Sequence, residues 1–137
     1  MTEYLPPRGI RNNNPGNIRH NPVNKWNGLA DPPSDGAFCV FTEAHFGIRA
    51  LAMLLRKYQS GHNCNSVREI LNRFAPPVEN DTGAYVAHAA KQLEVTPDAF
   101  IDTKDEQTML KLIAVIIRHE NGQQPYTDEQ ILAGIRA

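Results

Sequence analysis

The sequence predicts a mainly helical α+β fold, with a small β-hairpin and loop region at the N-terminal end. Three observations predict it. From Met1 to Gly36 there are six prolines and four glycines, and no helical period. From Glu43 onward, apolar residues recur at helical spacing between segments that carry helix start and stop signals. In one of these segments Met109, Leu110, Leu112, Ile113, Ala114, Val115, Ile116 and Ile117 cover every face, which places the helix in the middle of a core. At 137 residues, 41% hydrophobic and 21% charged, the chain is one domain in size and can bury a core without disulfides or metals. A single domain over residues 1–137 is expected, with residues 1–8 as a flexible lead or linker.

In the N-terminal third, Asn14-Pro15-Gly16-Asn17 has turn chemistry: Pro fixes φ and Gly permits a positive φ. Trp26-Asn27-Gly28 is a second turn signal. Phe38 to Phe41 reads as a short strand, with Ile18-Arg19 opening its partner. A first helix is expected from Glu43 to Gln59 with Thr42 as N-cap. Phe46, Ala50, Met53 and Leu54 supply its apolar stripe, and Ser60-Gly61 stops it. A second begins with the capping box Ser66-Val67-Arg68-Glu69 and ends at Phe74, ahead of Pro76-Pro77. A third covers Thr82 to Leu93, and a short helical turn follows Thr96-Pro97. Thr103-Lys104-Asp105-Glu106 is expected to box the start of the fourth, which ends at Arg118-His119-Glu120-Asn121-Gly122. Thr127-Asp128-Glu129-Gln130 boxes the start of the last.

Composition excludes several functions. A net charge of −1, from 14 basic and 15 acidic side chains, does not suit non-specific binding to nucleic acid or anionic membranes. No apolar run approaches membrane-spanning length. Met1 to Arg8 lacks an apolar signal core, so synthesis in the cytoplasm without a secretion signal is expected. Cys39 and Cys64 are too few for a disulfide framework, and the five histidines show no paired ligand spacing. No metal and no cofactor is expected. Asparagine is in excess: there are 12, seven of them between Asn12 and Asn27. Asn favours turns and left-handed backbone, and it offers both donors and acceptors.

Three acids are candidates for chemistry. Glu120 would sit at the C-terminal end of a buried helix, where burial and the negative end of the helix dipole both disfavour the carboxylate. A carboxyl kept protonated near neutrality can serve as a general acid. The alternative is a solvated Glu120, or one paired with Arg118 or His119. Glu43 lies between the strand and the first helix. It either complements the helix dipole or lines a cleft. Glu79, in Ala75-Pro76-Pro77-Val78-Glu79-Asn80, is an acid in a rigid loop, or a turn residue. Trp26 and Tyr85 could stack on sugar rings beside Asn-rich loops, and Trp26 could equally anchor its loop to the core. Asn12, Asn13, Asn14 and Asn17 could do no more than stabilise their own turns. A nucleophilic Cys39 beside His45 would need an exposed thiol and an orienting third group, whereas an apolar-flanked cysteine serves packing.

Several segments carry a resemblance. Ile113-Ala114-Val115-Ile116-Ile117-Arg118-His119-Glu120-Asn121-Gly122 resembles the apolar helix bearing the catalytic glutamate in lysozyme-like glycan hydrolases. Asn13-Asn14-Pro15-Gly16-Asn17-Ile18-Arg19, then Trp26-Asn27-Gly28, then Phe38-Cys39-Val40-Phe41, resembles the Asn-rich turn, W-x-G and strand of flagellar and autolysin-type glucosaminidases. Pro76 to Tyr85-Val86 is similar to a late helix start in lytic transglycosylases and glucosaminidases. In those families the glutamate helix comes first, and here it comes last. The resemblance therefore implies a circular permutation, which requires the end of the Glu120 helix to lie beside the Asn12 to Arg19 turn. From Arg8 onward the chain also resembles phage and prophage proteins of the "structural protein P5" kind, through RNNNPGNIR, APPVEN and IIRHENG.

The resemblance implies one lysozyme-like domain acting as a monomer on peptidoglycan glycan strands, as a muramidase, glucosaminidase or lytic transglycosylase. It implies Glu120 as general acid, with Glu43 the best second carboxylate. Asn13, Asn14, Asn17, Arg19, Trp26, Tyr85, His119 and Asn121 are implied as substrate-binding residues. Without a signal, a virion, a holin or secretion machinery would have to deliver the protein to the wall. Two rivals make different demands. A non-catalytic phage structural protein that only binds wall predicts a solvated Glu120 outside any cleft. A cysteine hydrolase of the peptide stems predicts an exposed Cys39 beside a histidine.

Overall fold

The computed structural model describes residues 5–137. In chain order its elements are α1 (Arg8–Arg11), β1 (Leu29–Ser34), β2 (Cys39–Phe41), α2 (Ala44–His62), α3 (Val67–Phe74), α4 (Thr82–Leu93), α5 (Glu106–Asn121) and α6 (Asp128–Arg136). The fold is mainly helical, with one small antiparallel sheet, β1 against β2, as the sequence predicts.

That largely apolar helix is α5, and it lies at the centre, with one exposed edge at Gln107, Lys111 and Arg118. Met109, Leu112, Ile113, Ile116 and Ile117 are each 0% exposed, and α1, α2, α4 and α6 all pack against this one helix. Each such side chain contributes roughly 1.5–3 kcal/mol of burial. The stripe of α2 adds Ile48, Leu51 and Leu55 to the same core, and α6 adds Ile131 and Ile135. Gly134 brings α6 onto α2, because a Cβ there would collide with the Ile48 side chain.

The caps refine the expected boundaries. Ser66 caps α3 by accepting from the Glu69 N–H at 3.1 Å. The Glu69 carboxylate accepts from the Asn65 N–H, one residue before the position a full capping box uses. The box at Thr127 and Gln130 is complete. Thr42 is not the cap of α2. Its hydroxyl donates to the Gly28 carbonyl at 3.2 Å, and Glu43 holds the N-cap position without a side-chain bond. Nor do Ser60 and Gly61 stop α2. It continues to His62 and ends at Asn63, in left-handed backbone with φ 54°. Glycine inside a helix costs only about 1 kcal/mol relative to Ala, so it weakens a helix without ending it. For α5 the cap is Asp105, accepting from the Thr108 N–H at 2.9 Å. Thr103 is buried, and its N–H and hydroxyl both donate to Gln59 Oε1 at 2.7 Å. After Thr96-Pro97 there is a single turn, closed by the Ala99 N–H on the Thr96 carbonyl at 3.1 Å.

The N-terminal third departs most from expectation. One helical turn, α1, forms where no helical period is visible. Within the sheet β2 pairs with β1, Leu29 with Phe41 and Ser34 with Cys39, a partner the sequence does not announce. Ile18 to His20 pairs along the other edge, as the sequence predicts. Arg19 bridges to Phe38, the Cys39 N–H donates to the Ile18 carbonyl, and the His20 N–H donates to Ala37. Pro32 and Pro33 inside β1 hid it, since prolines are confined to edge strands, which β1 is. Of the expected flexible lead, residues 1–4 lie outside the described residues. Arg8 heads α1 and pairs with Asp35 at 2.6 Å. Among the described residues no helix is long and apolar enough to cross a membrane.

Candidate active site

The last turn of α5 presents Glu120, and the next residue fixes where that turn sits. Asn121 is 8% exposed, and its amide donates to the Pro15 carbonyl at 2.8 Å and to the Ile117 carbonyl at 2.9 Å. Gly122, at φ 71°, then ends the helix. The Asn-rich turn is thereby fastened to α5 across more than 100 residues of sequence.

The turn has its own scaffold. Asn14 is fully buried. Its amide donates to the Ile18 and Cys39 carbonyls at 3.0 Å each, and its Oδ1 accepts from the Ile18 N–H at 3.0 Å. Asn13 and Asn17 occupy left-handed backbone, at φ 53° and 49°, which Asn tolerates better than most residues. The Asn13 amide donates to the Phe41 carbonyl at 3.1 Å. Beneath it, Gly47 of α2 lies so close that a Cβ would collide with the Asn13 carbonyl oxygen.

The Glu120 carboxyl meets two neutral donors. Asn17 Nδ2 lies 3.4 Å from Oε1, and the Tyr85 hydroxyl, from α4, lies 3.4 Å from Oε2. Among the described residues no Arg, Lys or His forms an ion pair with it. Burial pushes its pKa above the ordinary glutamate range, and the two hydrogen bonds only partly offset this. Tyr85 is itself buried, and its phenol is pushed far up by burial and by Glu120. His119 stacks on the Tyr85 ring, centroids 4.3 Å apart and planes at 9°. His119 Nε2 lies 2.7 Å from His88 Nδ1, a contact that needs at least one neutral ring. Burial and then His88 hold the His119 pKa down.

Glu120 opens into a cleft of about 390 Å³, whose walls include Asn17, Arg19, Phe38, Tyr58 and Glu79. Of the residues predicted from sequence, Glu120, Asn17 and Arg19 come together there. Tyr85 and His119 stand behind Glu120. Asn13, Asn14 and Asn121 build the turn and do not line the cleft. Trp26 packs against the core with its Nε1 buried and, among the described residues, without a hydrogen-bond partner, so it anchors its loop.

Glu43 is the main correction. It does not line the cleft. The Thr42 contact with Gly28 leaves it exposed at the start of α2, with His45 Nδ1 3.9 Å away. The second carboxylate at the cleft is Glu79, in the loop between α3 and α4. Its signal in the sequence was the Pro76-Pro77 pair, which stiffens the loop that carries it. Phe38, Tyr58 and Phe74, the cleft aromatics, gave no such signal, because all three read as ordinary core positions. Cys39 is 0% exposed, and burial raises its thiol pKa. The exposed nucleophile that a cysteine hydrolase needs is therefore not there. Among the described residues no group of three or more His, Cys, Asp or Glu side chains could hold a metal ion.

No family model matches the chain. It is 34% identical over 129 residues to "Protein P5" of Pseudoalteromonas phage PM2, an alignment covering 93% of this chain and 79% of that protein. Identity at that level over nearly the whole length places the chain in the family of phage P5 proteins.

Proposed function

We propose that this phage P5-family chain is a lysozyme-like hydrolase of peptidoglycan glycan strands, with Glu120 as its general acid. One observation carries the reading: a half-buried carboxyl in a cleft wall, held by an amide and a phenol and by no cation. Burial favours the proton that a general acid must deliver to a glycosidic oxygen. Once the proton is gone, Asn17 and Tyr85 are already aimed at the carboxylate oxygens and steady the charge. Glu79 is the cleft carboxylate available as base or electrostatic partner. A separation of roughly 6.5–9.5 Å in the working enzyme gives inversion, and about 5 Å gives retention. The contact between Asn17 and Glu120 also supports a circularly permuted lysozyme-like order, since the turn and the glutamate helix meet despite lying at opposite ends of the chain. The wall is then reached through a virion or secretion machinery, a route in keeping with a phage relative.

The test is digestion of purified peptidoglycan by wild type and Glu120→Gln, with products sized by mass spectrometry. Wild type should release fragments, and the variant should lose activity by roughly 100-fold or more. Reducing muramic ends identify a muramidase, reducing glucosamine ends a glucosaminidase, and anhydro-muramic ends a lytic transglycosylase. Equal activity in both proteins removes Glu120 from the chemistry. An inert wild type that still pulls down with the wall favours the non-catalytic, wall-binding rival.

A further inference from the structure

The Phe38 ring carries two guanidinium groups in different electrostatic states. Arg8 Cζ lies 4.5 Å from the ring centroid and Arg19 Cζ lies 5.0 Å from it. Arg8 is neutralised by a two-pronged contact with Asp35, Nε to Oδ2 at 2.6 Å and Nη2 to Oδ1 at 2.9 Å. Arg19 forms no ion pair among the described residues. Yet it is the one of the two that lines the cleft with Glu120. Its backbone is held by the bridge to Phe38, and its guanidinium, on an exposed side chain, lies over the ring. A planar fork of donors held without a partner matches a carboxylate.

From this we infer that Arg19 is a specificity determinant that recognises a carboxylate on the bound glycan. The inference rests on the glycan-strand reading above and sharpens it. A neutral chitin-type strand offers no carboxylate. A peptidoglycan strand offers one on the lactyl ether of each muramic sugar or, where that group is amide-linked, on the attached peptide.

The test is a binding titration in the Glu120→Gln background, so that ligands are not consumed. Three tetrasaccharides are compared by calorimetry: neutral chitotetraose, the alternating glucosamine–muramic tetrasaccharide with free lactyl carboxylates, and the same sugar carrying stem peptides. A carboxylate-bearing ligand should bind about tenfold more tightly than chitotetraose, the worth of one charge-assisted contact. That preference should shrink as salt is raised. Arg19→Gln should bring it below about twofold, while Arg8→Gln, on the same ring but outside the cleft, should leave it intact. Thermal melting checks that each variant folds. Tight binding of the peptide-free sugar assigns the lactyl group, and tight binding only with peptides assigns the stem. A preference that survives Arg19→Gln, or equal binding of neutral and acidic ligands, overturns the inference and leaves the glycan reading standing. No binding of any of the three overturns both.

Discussion

At the scale of the residue, the proposed role of Glu120 sets function against stability. A carboxyl whose pKa is higher folded than unfolded stabilises the fold while it holds its proton. That contribution is complete below the unfolded pKa and is lost as pH rises through the folded one. Burial raises the Glu120 pKa, so the ionised form strains the fold at neutral pH. Glu120→Gln keeps the shape and cannot ionise. The melting temperature of wild type relative to Glu120→Gln should therefore fall as pH is raised from about 4, the ordinary glutamate range, toward 8. Calorimetric scans of both proteins across that range check it, and a flat or rising difference contradicts the burial argument. The setting of Glu120 was legible in the sequence because the end of a largely apolar helix is a local property. The rest of its surroundings was not. Asn17 and Tyr85 are 103 and 35 residues away, and only the folded chain selects them as partners. Glu43 misled for the same reason: a junction between strand and helix is visible in sequence, but the side of the junction that faces a cleft is not.

At the scale of the element, the site depends on how closely α2 supports the Asn-rich turn. Periodicity revealed α2 to α6, because burial of one face writes a 3.6-residue pattern into the chain. Two starts shifted, by one and two residues: Glu43 rather than Thr42 holds the N-cap position of α2, and the Asp105 side chain rather than Thr103 caps α5. The β1 strand was illegible because its two prolines suppress the alternation that marks a strand. Also illegible was the role of Gly47, which reads as a neutral helix residue in sequence. In the fold it leaves the space that the Asn13 carbonyl fills. Gly47→Ala offers a gain in helix propensity of about 1 kcal/mol. It also forces a methyl group into backbone that is pinned by Asn14 and Asn121, and that overpacking costs about 1–3 kcal/mol or more. The collision with main-chain oxygen should win. Urea unfolding should show a net loss of about 1–2 kcal/mol, and under the proposed glycan-strand hydrolysis the release of peptidoglycan fragments should fall with it, as Asn17 moves off Glu120. A variant as stable as wild type would mean that the turn yields easily and that its grip on Glu120 is loose.

At the scale of the whole molecule, the question is whether the loop-rich third is an appendage or part of the cooperative unit. Composition alone suggests an appendage, since prolines and asparagines there replace the apolar periodicity of the rest. The contacts argue otherwise. Ile18, Cys39 and Phe41 belong to the same buried cluster as α5, and Trp26 packs on it. The Asn121 amide ties Pro15 to the helix end, and the Arg8–Asp35 pair closes α1 onto the start of the loop between β1 and β2. Trp26 is the only tryptophan of the chain, so its fluorescence reports the loop-rich third, while far-UV circular dichroism reports the helices. The two signals should change together in urea, at one midpoint and with one slope, because Ile18, Cys39, Phe41 and Trp26 cannot leave their places without opening the shared core. Asn14→Ala sharpens the point. It leaves the Ile18 N–H and the Ile18 and Cys39 carbonyls without their side-chain partner in a fully buried place, a loss of about 2–4 kcal/mol. If the molecule is one unit, that loss should move the helical transition as far as the tryptophan transition, although Asn14 touches no helix core residue through its amide. A tryptophan midpoint that falls below the helical one would make the Asn-rich turn a separately melting lobe, and Glu120 would then owe its setting to a contact that comes and goes.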